Sequence, residues 1–383
     1  MAKITINNKS PLYLPPPVLA ALAAAILFGA STPFAKQYVS SVPAMLLAGI
    51  LYLGSGVGLS VLRLLRDRGW RNPNLTTKEW LWLLGATAFG GIAGPVLLMS
   101  GLMYMPAASV SLLLNFEGVF TAILAWVVFK ENTDQKIVIG MLCVVAGGVL
   151  LSCVQQDGNL GTGNIFGSLY ILAACFCWAI DNNLMRKVSV SDTFFTAGFR
   201  GIVSAVVNIG WSILLGYSIP IWHETGKIMF IGLLGYGISL VLFLLALRGL
   251  GAARTGAYFS VAPFFGAAIA VLFFQESTSA WFWGAGLIMA IGLYLHLTEQ
   301  HEHIHQHTTL LHAHRHVHDE HHQHTHEPWD DNQPHDHIHE HTILEHSHRH
   351  VPDIHHRHTH AEKPDLEKDE DARHHSNSKN HTE

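Results

Sequence analysis

Between residues 16 and 298 the chain repeats one kind of segment ten times, a run of about twenty mostly apolar residues. The runs lie near 16–38, 42–65, 80–103, 106–129, 136–154, 164–187, 193–217, 227–249, 253–274 and 279–298. At 1.5 Å of rise per residue each is long enough for a helix to cross the hydrocarbon layer of a bilayer. Several, such as LLLNFEGVFTAILAWVVF, are apolar on every face, which a helix half-exposed to water cannot be. Trp80, Trp82, Trp222, Trp281 and Trp283 stand at predicted ends, where an aromatic belt meets the headgroups. These features predict an all-α polytopic membrane protein of ten transmembrane helices. The start, MAKITINNKSPLYLPPP, is polar and then proline-rich, and the apolar run after it is long enough to span, so no cleavable signal is expected.

The apolar body contains an internal repeat. Shifted by 145 residues, YMPAASVSLLLNFEGVFTAILAWVVFKEN lies over GLGAARTGAYFSVAPFFGAAIAVLFFQES without a gap. Ala107 and Ala108 then fall on Ala252 and Ala253, and Glu131 falls on Glu276. The glycines of the third span (Gly90, Gly91, Gly94) fall near Gly232, Gly235 and Gly237 of the eighth. Two halves of five spans follow, at 15–154 and 163–298, after an N-terminal segment at 1–14. An odd number of spans turns the second half upside-down relative to the first.

Charge orients them. Arg63, Arg66, Arg68, Arg71 and Lys78 lie between spans two and three, a loop the positive-inside rule places in the cytoplasm. Both termini are then expected to be cytoplasmic, in the cell (inner or plasma) membrane. Lys130 and Lys136 in loop 4–5, and Arg248 and Arg254 near loop 8–9, fit that orientation, while Lys36 at an outer end departs from it. Inverted repeats with glycine- and proline-interrupted helices are the architecture of secondary transporters, whose sites lie near the midplane between the halves.

With helix ends reading VVFKEN and LFFQES after long small-residue helices, the doubled body over residues 15–298 resembles the EamA-type drug/metabolite transporters. The resemblance implies ten helices, alternating access and a small organic solute, usually exported together with or in exchange for ions. The chain departs from the family at Gly118, where a proline is frequent; the second half carries Pro263 at the equivalent place.

Ionisable and amide side chains inside spans are costly and mark candidate sites. Glu117 lies at the middle of span four, close after Asn115, and its twin in the second half is Ala262. A charged carboxylate there is expensive, which suits a proton-coupling group and makes the proton the expected coupling ion. Asp181, Asn182 and Asn183 form a polar cluster in span six, with Arg186 and Lys187 following. Arg200 in span seven demands an acidic partner or an anionic solute, and Glu117 and Asp181 are the candidates. Tyr258 and Ser260 are further candidates to line a cavity, whereas Glu131 and Glu276 read as helix caps or interface anchors. The four cysteines, Cys143, Cys153, Cys175 and Cys177, all fall in spans and read as buried small hydrophobes, without a disulfide framework or a thiol site.

Residues 299–383 are a different polymer. Of the 28 histidines in the chain, only His223 and His296 precede residue 301. A module is duplicated at 301–326 and 335–360, a shift of 34 residues that also aligns Ile304 with Ile338, Arg315 with Arg349 and Asp319 with Asp353. With few large apolar residues the tail is expected to lack stable structure without a ligand. Imidazole binds zinc, nickel, cobalt and copper, and H-x-H spacing lets neighbouring side chains share an ion. The candidate ligands are His301, His303, His305, His307, His312, His314 and His316 in the first copy. In the second they are His335, His337, His339, His341, His346, His348, His350, His355, His356, His358 and His360. The pattern is that of an exchange-labile divalent-metal site, not of a zinc finger with a fixed tetrahedral set.

Three readings follow: a metabolite or drug-like solute carrier with a metal-binding tail, a nickel, cobalt or zinc efflux carrier whose tail gathers its cargo, and a membrane anchor for a metal-buffering module. No nucleophile elbow, phosphate-binding glycine loop or metallohydrolase helix is present in the sequence, so no enzyme is expected, and no cofactor is required. The bilayer and a small solute are the expected partners, and no nucleic acid is.

Overall fold

A computed structural model describes residues 15–73, 75–129, 135–153, 163–185, 188 and 192–297, and four short segments of the tail. The first half contains α1 (Pro16–Lys36), α2 (Ala44–Asp67), α3 (Thr77–Ala86), α4 (Gly94–Tyr104), α5 (Ala107–Leu113), α6 (Phe116–Phe129) and α7 (Gln135–Cys153). The second contains α8 (Gly163–Met185), α9 (Thr193–Leu214), α10 (Trp222–Gly232), α11 (Ser239–Phe259), α12 (Ala262–Leu272) and α13 (Ala280–Leu297). Among the described residues, seven helical stretches are long and apolar enough to cross a membrane, and three shorter apolar helices, Val138–Cys153, Ala262–Leu272 and Ala280–Leu295, complete the ten expected spans.

Local chemistry sets the helix starts. Prolines precede or open α1, α2 and α5, where a missing amide costs nothing. A capping box opens α3: the Glu79 amide donates to Thr76 Oγ1 and the Thr76 amide donates to Glu79 Oε2. Arg68, with φ of 53°, ends α2 in the left-handed region, and Gly69 follows at 139°.

The two halves share irregularities. A π-helical turn at Thr87–Ala93 joins α3 to α4, and another at Leu233–Ile238 joins α10 to α11, beginning 146 residues later. The run 106–129, expected as one helix, is interrupted at Leu114–Asn115, and a matching step at Ser260–Val261 parts α11 from α12. The halves differ at one place. A loop was expected at 250–252, but α11 runs on through it to Phe259. The physical reason lies in one aligned pair: the first half has Pro106, which cannot continue a helix, and the second has Gly251, which can.

The halves share one core. α1 packs on α11 and α12, and α2 packs on α9 and α10. The α2–α9 crossing is close because a Cβ at Gly201 would lie only 2.4 Å from Gly56 Cα. Leu46, Leu47, Ile50, Leu51, Leu98, Met99, Leu102 and Leu113 fill the interior, while Leu65, Val127, Leu142, Val206, Leu214 and Leu287 lie exposed on the outside of the bundle. Such an apolar outer face is what a bilayer covers.

In the tail the described segments are strands β1 (His301–His307), β2 (Leu311–His316), β3 (His335–Glu340) and β4 (Leu344–His350). β2 pairs antiparallel with β3, setting His312 opposite His339, His314 opposite His337 and His316 opposite His335. The sequence predicts no stable structure here without a ligand, and a two-stranded ribbon is marginal by itself in water. The other tail histidines named above, His341, His355, His356, His358 and His360, lie outside the described residues.

Candidate functional site

The π-helical turn at Thr87–Ala93 removes the normal hydrogen-bond partner from a carbonyl in mid-span. The Gly90 carbonyl oxygen accepts instead from two side chains, the Tyr52 hydroxyl on α2 at 3.0 Å and the Trp178 indole N–H on α8 at 3.1 Å. Glycine is required here by contact as well: a Cβ at Gly90 would lie 1.9 Å from Asp181 Oδ2, and one at Gly91 would lie 2.2 Å from Ser204 Oγ. The turn is thus the floor on which the polar residues of α8 and α9 rest.

Above it, Arg200 on α9 donates through Nη2 to Asp181 Oδ2 on α8 at 2.5 Å, and both side chains are largely buried. Of the two acidic partners expected for Arg200, Asp181 takes the bond. One helical position further, Asn182 donates through Nδ2 to Glu117 Oε1 at 2.8 Å. Glu117 stands just beyond the Leu114–Asn115 interruption, at the start of α6. α8 is therefore tied to two neighbours, to α9 through the Asp181 carboxylate and to α6 through the Asn182 amide.

The interruption also explains where other expected residues go. Asn115 turns back on its own chain, donating Nδ2 to the Leu112 carbonyl at 2.9 Å, and so supports the break. The Cys175 thiol, buried, approaches the Leu113 and Leu114 carbonyls at 3.7 and 3.9 Å as a weak donor. All four cysteines are free. Asn183 donates to the Ala179 carbonyl of its own helix at 2.8 Å. Tyr258 is exposed near the end of α11 and joins none of these bonds. Arg186, Lys187 and Glu131 lie outside the described residues.

Three contributors escaped the sequence reading. Tyr52 and Trp178 looked like ordinary apolar aromatics, and only a bulged carbonyl gives them polar work. The third is the stripe Ser204, Asn208 and Ser212 on α9, which continues from Arg200 at a spacing of four residues and faces inward. That stripe was visible in the sequence as a period of four and could have been found. Among the described residues, buried Asp181 Oδ1, Ser204 Oγ and Asn208 Nδ2 have no hydrogen-bond partner, so this strip offers polar atoms to a bound solute or water.

A second polar network caps the end of α2. Asp192 opens α9, accepting through Oδ1 from the Phe194 amide at 3.0 Å and the Phe195 amide at 3.4 Å. Its Oδ2 accepts from Arg63 Nε and Arg66 Nη2, each at 2.9 Å. Burial pushes the Asp192 carboxyl up, but the bonds and charges of Arg63 and Arg66 outweigh it and hold the group below the usual carboxylate range. Arg63 lies over both the Trp70 and the Phe195 rings, 5.3 and 5.2 Å from their centroids, and the two rings meet edge to face. Among the described residues no group of three or more His, Cys, Asp or Glu side chains is placed to hold a metal ion.

Ten apolar spans in two halves, packed around a buried strip of charges and amides, define a membrane transporter of small solutes. Comparison with known proteins agrees. The EamA-like transporter family matches this chain twice, over residues 15–153 and 165–298, and the chain belongs to that family. It is 25% identical over 289 residues to an uncharacterized transporter of Methanothermobacter thermautotrophicus, covering 71% of this chain and 83% of that protein. It is 22% identical over 247 residues to the uncharacterized transporter YetK of Bacillus subtilis, covering 63% of this chain and 74% of that one. A crystal structure at 19% identity superposes with a TM-score of 0.55, covering 73% of this chain and 95% of its own, and supports the fold.

Proposed function

We propose that this transporter is a secondary active exporter of a small metabolite or drug-like solute, working by alternating access across the cell membrane with both termini in the cytoplasm. The observation that carries the reading is the central strip, where Asp181 is neutralised by Arg200 while Glu117, among the described residues, accepts from a neutral amide. Glu117 is the residue on which proton and solute compete: protonated it is tolerated in the apolar interior, and ionised it draws a cationic group or releases its proton to one side. Asn182 orients it, and the stripe Ser204–Asn208 supplies polar contacts along the path. The absence of an ATPase motif in the sequence leaves an ion gradient as the driving force.

The tail is read as a cytoplasmic module binding zinc, nickel, cobalt or copper that regulates or buffers beside the carrier. The β2–β3 register, which sets three histidine pairs opposite one another, supports that chemistry. Metal as the cargo itself is disfavoured, because a dication entering the central strip would meet the Arg200 guanidinium.

Proteoliposomes carrying an imposed proton gradient test the reading. Glu117→Gln preserves the bond from Asn182 but cannot ionise, so solute flux driven by the gradient should fall at least tenfold while insertion is unchanged. Flux at the wild-type rate with the same pH dependence would remove Glu117 from the mechanism.

A further inference from the structure

The turn at Met105–Pro106 ends α4 and starts α5 at one end of the bundle. Pro106 has no amide, and its ring would clash with the Leu102 carbonyl if the helix continued, so the sequence itself imposes the break. The break leaves helix-end carbonyls and amides without helical partners. Side chains from elsewhere fill them. The Lys36 ammonium, at the end of α1, donates to the Leu102 carbonyl and, at 3.0 Å, to the Met105 carbonyl. The Glu276 carboxylate, beyond α12, accepts from the Ala107 amide at 2.9 Å and the Ala108 amide at 2.8 Å. Lys36 and Glu276 also line one cavity of about 380 Å³ with Tyr104 and Ser277.

A helix cap normally comes from the residue next to the helix and says nothing of the rest of the fold. Here the acceptor comes from the other half of the protein, 169 residues away along the chain. It can reach Ala107 and Ala108 only while the two halves are together at this end. The aligned place in the second half has Gly251 within the uninterrupted α11, so the first-half arrangement is not repeated there.

We infer that Glu276 is a latch residue that holds this end of the transporter closed, with Lys36 as its companion on the same turn. The inference rests on the alternating-access reading above. Bonds that cross the halves at one end exist only in the state closed at that end, so they bias the equilibrium toward it and must be exchanged for water when it opens. Glu276 therefore acts on which side the carrier faces, not on what it binds. It is a positioning residue and does not touch the Glu117 strip in the closed state.

The test uses full-length protein in lipid nanodiscs, with the four native cysteines replaced and one reporter cysteine introduced. Ser111→Cys places the reporter on α5, one turn beyond the latch and buried in the closed state. The rate of its modification by a soluble maleimide reads opening at this end. Glu276→Ala should raise that rate at least fivefold, and Glu276→Gln, which keeps one acceptor oxygen, should raise it less. In a Pro106→Gly background, where the helix can close on itself, Glu276→Ala should add nothing. A control reporter at Ala21→Cys, buried near the opposite end of α1, should not speed up. An unchanged Ser111→Cys rate, or an equal rise at both reporters from general loosening, overturns the latch. No transport is measured, so a failure of the Glu117 reading leaves this result separately interpretable.

Discussion

The Asp181–Arg200 pair is the most exposed to refutation by a stability measurement. The 2.5 Å bond joins side chains with relative exposures of 8% and 15%, so neither charge has much water to fall back on. Breaking such a pair by removing one partner costs about 3–5 kcal/mol, because the remaining charge is left uncompensated in a low-dielectric site. Removing both charges together costs far less, since no buried charge remains. Asp181→Asn and Arg200→Gln should therefore each destabilise the protein by about 3 kcal/mol, and the double variant by well under their sum, a coupling of about 2 kcal/mol or more. Denaturant-dependent unfolding in detergent, followed by tryptophan fluorescence, supplies the three differences. Trp178, bonded to the Gly90 carbonyl beside the pair, is a natural reporter. If the two single costs add to within about 0.5 kcal/mol, the residues do not act on one another, and the pairing is not what stabilises the strip.

Gly90→Ala should be more damaging than a glycine-to-alanine change in an ordinary helix, where alanine is favoured by about 1 kcal/mol. Its Cβ would occupy the position of the Asp181 carboxylate, so a loss of several kcal/mol or failure to accumulate in the membrane is expected; normal yield and melting would refute the floor role. Asp192→Asn keeps the α9 cap but removes the ion pairs with Arg63 and Arg66, and should cost about 1 kcal/mol near pH 7. Because the folded carboxyl is held low, its contribution is present above the ordinary carboxylate value of about 3.9 and is lost as pH falls through the folded value, so the gap between wild type and variant should shrink as melts are taken from pH 5 toward pH 3. Titration of the full-length protein with zinc or nickel should show at least two ions bound per chain at micromolar affinity, lost when His312, His314, His316, His335, His337 and His339 are replaced together; undiminished binding would move the metal away from the β2–β3 register.

The ten spans were legible because apolar length alone decides them, and so was the break before α5, because proline decides it. The continuation of α11 through Gly251 was not legible. Glycine and alanine permit a helix or a loop, and packing chooses. Within the site, the sequence pointed to Asp181, Asn182, Glu117 and Arg200 because ionisable and amide side chains are conspicuous among apolar neighbours. It could not say that Arg200 meets Asp181 while Asn182 meets Glu117, since that depends on how α8 packs against α9 of its own half and against α6 of the other. Nor could it say that Asn115 and Asn183 each give their Nδ2 to a backbone carbonyl of their own segment, since short amide side chains can serve nearby carbonyls as readily as a solute. Tyr52 and Trp178 were invisible because their partner is a carbonyl freed by a π-turn, which hydropathy does not report. Glu276 was expected to be a cap and is one, but the helix it caps belongs to the other half.

A π-turn amounts to one surplus residue in an otherwise regular helix, and here both copies of the repeat carry theirs at the same step, Thr87–Ala93 and Leu233–Ile238. The simplest ancestry puts that insertion in a single five-span forebear, before the gene doubled. Most side chains around it have since diverged, Glu117 against Ala262 and Pro106 against Gly251 among them. The surplus residue is thus older than the division of labour between the halves. Single-copy relatives, if they descend from the same forebear, should show the same extra residue in their third helix, and its position fixes where an alignment gap belongs.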